Sequence, residues 1–403
     1  MELNISKMHF LMHKIYSKME TGKWKFLYFL CRKLLPIKKN RICLVSWNGA
    51  HFNCNPKAIA LYLNKLNLNH NYDIVVVVNN PRQYKKQYQR IRFVATYSLQ
   101  HIVCQSTCKV FVSNVRAFFF IKRQKQFYIQ TWHGTGPKKS EKDSINVLSN
   151  EYIDIAIRDC QQTDLMLSGS SFQTNWIKKS TWYKGRILES GFPRYDDFFN
   201  KEMSENLKHN FFHKYKLPNS TKLVMYAPTF RSLDEIENYG FDTCNLLKTL
   251  QAKFGGDWKL LLRFHPNVAS LPLPNMFAKS QNSMVINVTS YDDMQDLLCA
   301  ADVLITDFSS VSTEFFIQKK PCFLYAPDFN TYIRGLYFEP NQMPFPFAET
   351  ESQLIENIEK FNEDEYLKKI NYYSNFLGMF EKGTATKAVV NEIDKMLCLN
   401  IPD

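Results

Sequence analysis

Short β-branched, apolar runs alternate with helix-compatible segments along this chain, and this alternation limits the possible fold more than any other feature. The run Ile74–Val78 is of the type found in strands that are buried on both faces. Further strand-like runs begin at Arg41, Lys109 and Phe127, with helical segments between them. Strands that alternate with helices favour parallel sheets, so we predict an α/β fold.

A second series of strands begins near Leu217 and follows the same scheme. Its predicted strands are Lys222–Tyr226, Lys259–Phe264, Met284–Asn287, Val303–Thr306 and Pro321–Tyr325. Because 403 residues are too many for one ordinary domain, we predict two Rossmann-type domains, at residues 41–215 and 216–380. A helical pattern runs from about Asn371 to Leu399, and a C-terminal helix is predicted at residues 381–403.

The first 40 residues differ in composition from the rest of the chain. They interleave lysines and arginines with bulky apolar side chains such as Trp24, Phe26 and Phe29. Such a segment can bury aromatic rings in a lipid interface while its lysines meet anionic head groups, so we predict a basic, amphipathic, membrane-associating segment at residues 1–40. The alternative is a basic helix that packs on its own domain.

Charge and cysteine usage indicate the partners and the compartment. Lys and Arg total 51 against 38 for Asp and Glu, and this net charge of +13 attracts nucleic acid, anionic lipid, nucleotides or polyanionic polymers. The ten cysteines include no Cys-x-x-Cys pair, which favours a reducing cytosol. With no predicted signal peptide or membrane-spanning stretch, we expect a peripheral protein on the cytoplasmic face of the cell membrane.

The polar clusters follow the ends of predicted strands, where open parallel sheets bind their ligands. The first cluster contains His133, Gly134 and Thr135, followed by Lys138. An imidazole at this position can accept a proton near neutral pH, and a lysine beside it attracts phosphate. A structural turn with a surface histidine is the alternative.

The second cluster runs from Asp307 through Ser309 and Ser310 to Glu314, between a strand and a helix. Either serine can cap the helix, whose first N–H groups and partial positive charge bind phosphate readily. Glu314 lies one turn further, where its carboxylate can accept hydroxyl groups of a ribose. An ordinary capping box is less favoured, because neither serine has the Glu or Gln that a box requires.

Three further strand ends carry cationic side chains. His265 is restricted by the proline that follows it and can donate to a phosphate oxygen. Arg231, close after Thr229, offers a planar fork for a pyrophosphate, although a solvated loop arginine is equally compatible with the pattern. Arg194 lies in a Gly-Phe-Pro-Arg turn, where it can orient a cleft.

In this order the clusters resemble the CDP-glycerol glycerophosphotransferase family, which contains teichoic-acid primases and polymerases. The resemblance covers about residues 46–328, and its motifs are Asn55-Pro56-Lys57, Trp132-His133-Gly134-Thr135, Gly191-Phe192-Pro193-Arg194, Tyr226-Ala227-Pro228-Thr229-Phe230-Arg231, Arg263-Phe264-His265-Pro266 and Asp307-Phe308-Ser309-Ser310-Val311.

The resemblance implies a GT-B-like fold, in which two Rossmann-type domains face a central cleft. It also implies an N-terminal domain that holds the acceptor and a C-terminal domain that holds the CDP-alditol. His133 and His265 match the family's two essential histidines, and Arg231, Ser309 and Ser310 match its pyrophosphate contacts. One departure is that Gly136 and Pro137 stand before Lys138, which alters the loop at the acceptor side.

We therefore predict a phosphotransferase that moves glycerol phosphate, or another alditol phosphate such as ribitol phosphate, from a CDP-alditol to a lipid-linked cell-surface polymer. The substrate-binding set predicted for the CDP-alditol is Arg231, Thr229, Ser309, Ser310, Glu314 and Asp307. The set predicted for the acceptor or its phosphate is Gly134, Thr135, Lys138 and Arg194. No cofactor and no protein-bound metal are expected, because no Asp-x-Asp site occurs.

Two alternatives belong to other functional classes. A GT-B glycosyltransferase that uses a nucleotide sugar, for capsule or lipopolysaccharide synthesis, would share the fold and the nucleotide helix. A nucleic-acid-binding protein would account for the net charge, but the basic residues concentrate at the amino terminus and no recognition motif occurs. The sequence leaves open the alditol, the acceptor polymer, the choice between primase and polymerase, and the oligomeric state.

Overall fold

The protein contains two parallel sheets, each built from a different part of the chain. The structure is a computed structural model, and it describes residues 22–67, 71–134, 136–229, 239–264, 277, 284–331 and 335–398. Its strands are β1 (Lys38–Val45), β2 (Asp73–Val78), β3 (Arg92–Ala95), β4 (Cys108–Ser113), β5 (Phe127–Gln130), β6 (Leu165–Ser168), β7 (Arg186–Glu189), β8 (Thr221–Ala227), β9 (Asp257–Leu262), β10 (Val285–Asn287), β11 (Val303–Thr306), β12 (Cys322–Tyr325) and β13 (Phe347–Ala348).

Both sheets have the strand order of a doubly wound fold. The first is ordered β3-β2-β1-β4-β5-β6-β7 and the second β10-β9-β8-β11-β12-β13, and the pairings are parallel. The direction of winding reverses between β1 and β4 in the first sheet and between β8 and β11 in the second. Ligands bind at such switch points, beyond the carboxyl ends of the strands, so the topology places a site at these ends.

Helices cover the sheets. The first, α1, spans residues 22–34, and the others described are α2 (Cys54–Leu66), α3 (Arg82–Lys85), α4 (Leu99–Thr107), α5 (Asn150–Gln162), α6 (Ser171–Ser180), α7 (Asp196–Phe199), α8 (Lys201–Tyr215), α9 (Thr243–Phe254), α10 (Met294–Ala300), α11 (Ser310–Phe315), α12 (Glu351–Glu359), α13 (Glu363–Leu377) and α14 (Ala385–Leu397). None of the described helices is both long and apolar enough to cross a membrane.

The β-branched run of the sequence forms the centre of the first sheet. Residues Ile74–Val78 lie in β2 and are at most 2% exposed. Its even-numbered side chains pack in one core cluster and its odd-numbered side chains in another, on the opposite face. Burial on both faces explains why this strand has no polar alternation. The predicted α/β fold with parallel sheets is confirmed.

The C-terminal segment differs from its prediction. The sequence predicts one helical pattern from about Asn371 to Leu399, but α13 ends at Leu377, because Gly378 adopts a left-handed φ of +62° and caps the helix. The next helix, α14, packs its apolar face on the first sheet, where Val389 and Ile393 join the core cluster that contains Ile42. The chain therefore returns to the first half of the molecule at its end.

Candidate active site

The loop that follows β5 touches the helix that follows β11, so the two halves of the molecule meet at one cleft. A Cβ atom placed on Gly136 would lie 3.2 Å from both the backbone nitrogen and the Cα of Ser310. Only a glycine allows this approach without displacing its neighbour. The Gly136-Pro137 departure from the family pattern therefore lies at the contact between the histidine loop and the amino end of α11.

The same loop is fixed by backbone pairing with the second half. Lys138 forms an antiparallel bridge with Leu336, and the Tyr337 N–H donates to the Pro137 carbonyl at 2.7 Å. The Lys139 N–H donates to the Gly335 carbonyl at 3.1 Å. This short ladder holds the predicted acceptor-side lysine against the domain that is predicted to carry the nucleotide.

His133 has a defined tautomer. Its Nδ1 lies 2.8 Å from the backbone carbonyl of Asn114, and a carbonyl oxygen can only accept, so Nδ1 carries the hydrogen. The lone pair is then on Nε2. Burial, with a smaller contribution from the nearby Arg194 and Arg116 guanidinium groups, lowers the pKa of the His133 imidazole to about 4, although the hydrogen bond to Asn114 acts in the opposite direction. The ring is therefore neutral near pH 7 and able to accept a proton.

Two tryptophans hold the His133 ring. The ring centroids of Trp47 and Trp132 lie 4.8 Å and 5.1 Å from that of His133. Both tryptophans have a left-handed backbone, with φ of 49° and 54°, which bulky residues rarely adopt. The backbone N–H of Trp47 donates to the side-chain oxygen of Asn114, and the backbone N–H of Trp132 donates to the side-chain oxygen of Gln130. Strained residues of this kind concentrate at functional sites.

Arg194 and Glu314 form a buried ion pair that joins the two halves. An oxygen of the Glu314 carboxylate lies 2.6 Å from Nη2 of Arg194, and the two side chains are 4% and 6% exposed. The same nitrogen donates to the backbone carbonyl of His133 at 2.7 Å. The second carboxylate oxygen accepts from Gln295 at 2.9 Å. Burial raises the pKa of Glu314, and the Arg194 charge opposes that rise.

In this ion pair, Arg194 and Glu314 contact each other within the protein. Arg194 was predicted on the acceptor side and Glu314 on the nucleotide side, and the structure brings them together across the cleft. Their predicted contacts with substrate stay predictions. Gly134 is part of the same arrangement, since its φ is +94° and a Cβ there would lie 2.9 Å from Nη2 of Arg194.

The strand ends of the second sheet place the other predicted nucleotide residues. Asp307, fully buried after β11, accepts hydrogen bonds from the N–H and the hydroxyl of Thr229, which follows β8. Ser309 is the N-cap of α11, and its hydroxyl accepts from the N–H of Val311. Thr229, Asp307, Ser309 and Ser310 therefore lie at the switch point of the second sheet. Their predicted contacts with a CDP-alditol stay predictions.

Three predicted site residues, Thr135, Arg231 and His265, lie outside the described residues. Within the described ranges, no group of three His, Cys, Asp or Glu side chains is arranged to hold a metal ion.

Sequence reasoning missed several residues that support the histidine. Asn114 holds His133 through its carbonyl and Trp47 through its side chain. Arg116, buried between Glu141 and Asp159, places its guanidinium 5.0 Å from the Trp132 ring centroid. No spacing pattern links these positions, so only their place after β4 could have suggested them.

The fold and the site together define a class of protein. Two Rossmann-type sheets face one cleft, with a neutral histidine on one side and the amino end of a helix on the other, which is the arrangement of a GT-B-like transferase. A sequence profile of the family described as CDP-Glycerol:Poly(glycerophosphate) glycerophosphotransferase matches residues 27–395. The chain belongs to this family, and the predicted membership is confirmed.

Individual relatives agree with the family assignment. The teichoic acid poly(glycerol phosphate) polymerase of Bacillus subtilis strain 168 is 28% identical over 95% of this chain, which spans 52% of that relative's length. The polymerase of the same description from Bacillus spizizenii is also 28% identical, and the match covers 89% of this chain and 93% of the relative. The chain thus spans about half of one relative and nearly all of the other.

Solved structures agree as well. A variant of the wall teichoic acid polymerase TagF superimposes with a TM-score of 0.79 at 27% identity, covering 93% of each chain. A TagF structure soaked with CDPG matches with the same TM-score at 26% identity. The predicted GT-B-like fold is confirmed, and the likeness favours a glycerophosphotransferase over the nucleotide-sugar and nucleic-acid alternatives.

Proposed function

We propose that this protein transfers glycerol phosphate from CDP-glycerol to a hydroxyl group of a membrane-linked polymer and releases CMP. The observation that carries the proposal is the contact between Gly136 and Ser310, which brings the His133 loop to the amino end of α11. A proton acceptor and an anion-binding helix end then face the same cleft.

The reaction follows from these groups. The acceptor oxygen attacks the β-phosphorus of CDP-glycerol, and its proton passes to Nε2 of His133. The bond between the β-phosphorus and the bridging oxygen breaks, and CMP leaves with that oxygen. The amino end of α11 at Ser309 and Ser310 stabilises charge on the phosphoryl oxygens, which is the main requirement of phosphoryl transfer. By resemblance, His265 and Arg231 add positive charge.

The test of the proton acceptor is the substitution His133→Ala. We expect CMP release from CDP-glycerol in the presence of acceptor to fall roughly 100- to 10,000-fold, the usual contribution of a general base. The control is His209→Ala, which removes an exposed histidine from α8. Activity of the His133 variant near that of the control would refute the assignment.

The choice of donor is tested separately. We propose glycerol as the alditol, because the relatives quoted above are described as poly(glycerol phosphate) polymerases. Purified protein is incubated with CDP-glycerol, CDP-ribitol and a set of UDP-sugars, and the released nucleotide is identified. CMP from CDP-glycerol is expected in excess, whereas UDP release would favour the glycosyltransferase alternative.

The two faces of helix α1 support the proposal that the protein acts at a membrane surface, where the acceptor would be anchored. Trp24 and Tyr28 on its inner face are buried against the first domain, where they contact Phe119 and Ile102. Its outer face exposes Phe26 by 62% and Leu34 by 75%. The alternative interpretation, a basic helix packed on its own domain, therefore describes the inner face of α1, and the membrane-associating interpretation stays a prediction for its outer face.

The outer face also carries charge suited to an anionic surface. Lys25 and Lys33 are exposed, and the Lys33 ammonium lies 4.7 Å from the Phe29 ring centroid. Aromatic rings beside lysines are the pattern of helices that lie in a lipid interface. We infer that this face binds the anionic surface of the cell membrane and that the acceptor is lipid-linked there. Residues 1–21 of the predicted segment lie outside the described residues.

A further inference from the structure

The first turn of α2 carries the Asn55-Pro56-Lys57 motif, which has no assigned part in the reaction. Because α2 follows β1, this turn lies at the edge of the first sheet where the loop that follows β5, with His133, also begins. Asn55 is fully buried there. A buried amide in a folded protein nearly always has hydrogen-bond partners, and those of Asn55 belong to the candidate site.

The Asn55 side chain bridges two separate segments of the site. Its Nδ2 donates to the backbone carbonyl of Trp132 at 2.9 Å, and its Oδ1 accepts from the backbone N–H of Arg194 at 3.1 Å. A carbonyl can only accept and an N–H can only donate, so these partners fix the orientation of the amide. The Trp132 carbonyl belongs to the peptide bond that leads into His133. Asn55 therefore ties the backbone of the histidine loop to the turn that carries Arg194.

The next carbonyl of the histidine loop is held from the same turn. The His133 carbonyl accepts from Nη2 of Arg194 at 2.7 Å, and this nitrogen also pairs with Glu314 of the second half. The two consecutive carbonyls on either side of the His133 Cα thus bind buried side chains, one from Asn55 and one from Arg194. Together they fix the backbone from which the imidazole extends.

The third residue of the motif anchors the same turn of α2 to the second half. The Lys57 ammonium lies 2.6 Å from the carboxylate of Asp293. Next to the motif, Nδ2 of Asn53 donates to the backbone carbonyl of Asp292 at 2.7 Å. The turn that carries Asn55 is therefore fixed relative to the half that contains α11.

We propose that Asn55 is a positioning residue for the transfer reaction, an inference that rests on the proposed function. Its carboxamide places the His133 imidazole relative to the amino end of α11, which is proposed to bind the phosphoryl oxygens. Asn55 acts through the loop and touches no reacting atom. Its loss should therefore impair the chemical step more than binding of the donor, because a misplacement of about 1 Å can lower a rate roughly 100-fold.

The isosteric variant Asn55→Asp tests this role. It keeps the oxygen that accepts from Arg194 but replaces the donor to Trp132 with a second oxygen, so two oxygens face each other and the loop moves. The Thr131 hydroxyl still donates to the Trp132 carbonyl at 3.0 Å, which leaves this group one partner. We expect kcat for CMP release from CDP-glycerol to fall roughly 10- to 100-fold, with the KM for CDP-glycerol within about twofold of wild type.

The matched control is Asn67→Asp, just after the carboxyl end of the same helix. Asn67 also bridges two backbone groups, since its Nδ2 donates to the Tyr72 carbonyl at 3.1 Å and its Oδ1 accepts from the Tyr72 N–H at 2.8 Å. The control loses the same kind of hydrogen bond and gains the same charge, roughly 18 Å further along the helix axis. It should retain the kcat of wild type. An equal loss of kcat in both variants would overturn the proposal.

A double-mutant cycle distinguishes positioning of the histidine from a general structural role. In the His133→Ala background, Asn55→Asp should lower the residual activity little further, because no imidazole remains to be positioned. A loss by the same factor in both backgrounds would show that Asn55 acts independently of His133, and it would contradict the proposal.

Circular dichroism and thermal unfolding establish whether each variant is folded. If Asn55→Asp does not fold, Asn55→Ser, which introduces no charge, replaces it in both comparisons, and a wild-type kcat in that variant refutes the role. Failure of the wild-type protein to release CMP from CDP-glycerol with acceptor present would overturn the proposed function. Normal CMP release by wild type and by Asn55→Asp alike would overturn this inference alone.

Discussion

At the scale of single residues, the site is a histidine held in place by its neighbours. The Asn114 carbonyl sets the tautomer of His133, and Trp47 and Trp132 limit the motion of its ring. The left-handed backbone of both tryptophans shows that the surrounding structure maintains a conformation that these residues disfavour.

Trp47 provides the first prediction at this scale. Because its ring is 36% exposed and touches His133, Trp47→Ala should loosen the imidazole and lower kcat roughly tenfold to hundredfold. Trp47→Phe keeps an aromatic contact and should retain most of the activity. Steady-state CMP release measures both variants, and equal activity of Trp47→Ala and wild type would contradict the positioning role.

The His133 environment also predicts a dependence of stability on pH. The pKa of His133 is about 4 in the folded protein and about 6.5 in the unfolded chain, so the unfolded state binds the proton more readily between these values. The free energy of unfolding should therefore fall as the pH falls from about 6.5 to about 4.

The variant His133→Asn should show a smaller loss across this window. Some loss will remain, because burial also lowers the pKa of His101 to about 4. Urea unfolding at pH 7 and pH 5 measures the difference. An identical change in wild type and variant would show that His133 does not titrate in this way.

At the scale of elements, helix α1 has one apolar face that is buried on the domain and another that is exposed. Deleting residues 1–40 would remove Trp24 and Tyr28 from the core together with β1 residues, so loss of membrane binding by that variant would not isolate the surface. Substitutions on the outer face isolate it.

The double substitution Phe26→Glu and Phe29→Glu should abolish most sedimentation with anionic vesicles. It replaces exposed aromatic rings, 62% and 47% accessible, with carboxylates that anionic lipids repel. The control is Tyr372→Glu, which makes the same kind of change at a 74% exposed position on α13. Equal sedimentation of the two variants would rule out this face of α1.

At the scale of the whole molecule, ion pairs and hydrogen bonds between side chains join the two halves. Besides Arg194 and Glu314, the Lys57 ammonium lies 2.6 Å from the Asp293 carboxylate, and His51 lies 2.7 Å from Asp292. Lys57 and His51 come from the first half and the two aspartates from the second. These contacts therefore join the two halves through polar side chains from both.

Glu314→Ala should destabilise the protein by about 3–5 kcal/mol, because it leaves the Arg194 guanidinium buried without its counter-charge. Chemical denaturation measures the change in the free energy of unfolding. Glu356→Ala removes one partner of an exposed pair on α12 and should have no measurable effect. Similar stability of the two variants would show that the buried pair contributes little.

Much of the fold could be predicted because its signals are local. The strand Val303–Thr306 was predicted with the bounds that the structure has, and the Ile74–Val78 run identified a strand buried on both faces. The break at Gly378 was not predicted, since a glycine within a helical pattern does not reveal whether its φ is positive.

The candidate site likewise has features that the sequence predicts and features that it does not. The chain by itself determined the strand ends on which His133, Thr229, Asp307 and Ser309 lie, because each follows an apolar run and parallel strands end at one edge of a sheet. Only the tertiary structure decided that Arg194 pairs with Glu314, which is 120 residues away, and that Trp47 and Asn114 enclose the histidine. The Arg194–Glu314 contact depends on how the two sheets pack together, whereas the contacts of Trp47 and Asn114 depend on which strands lie side by side in the first sheet. No periodicity along the chain encodes either arrangement.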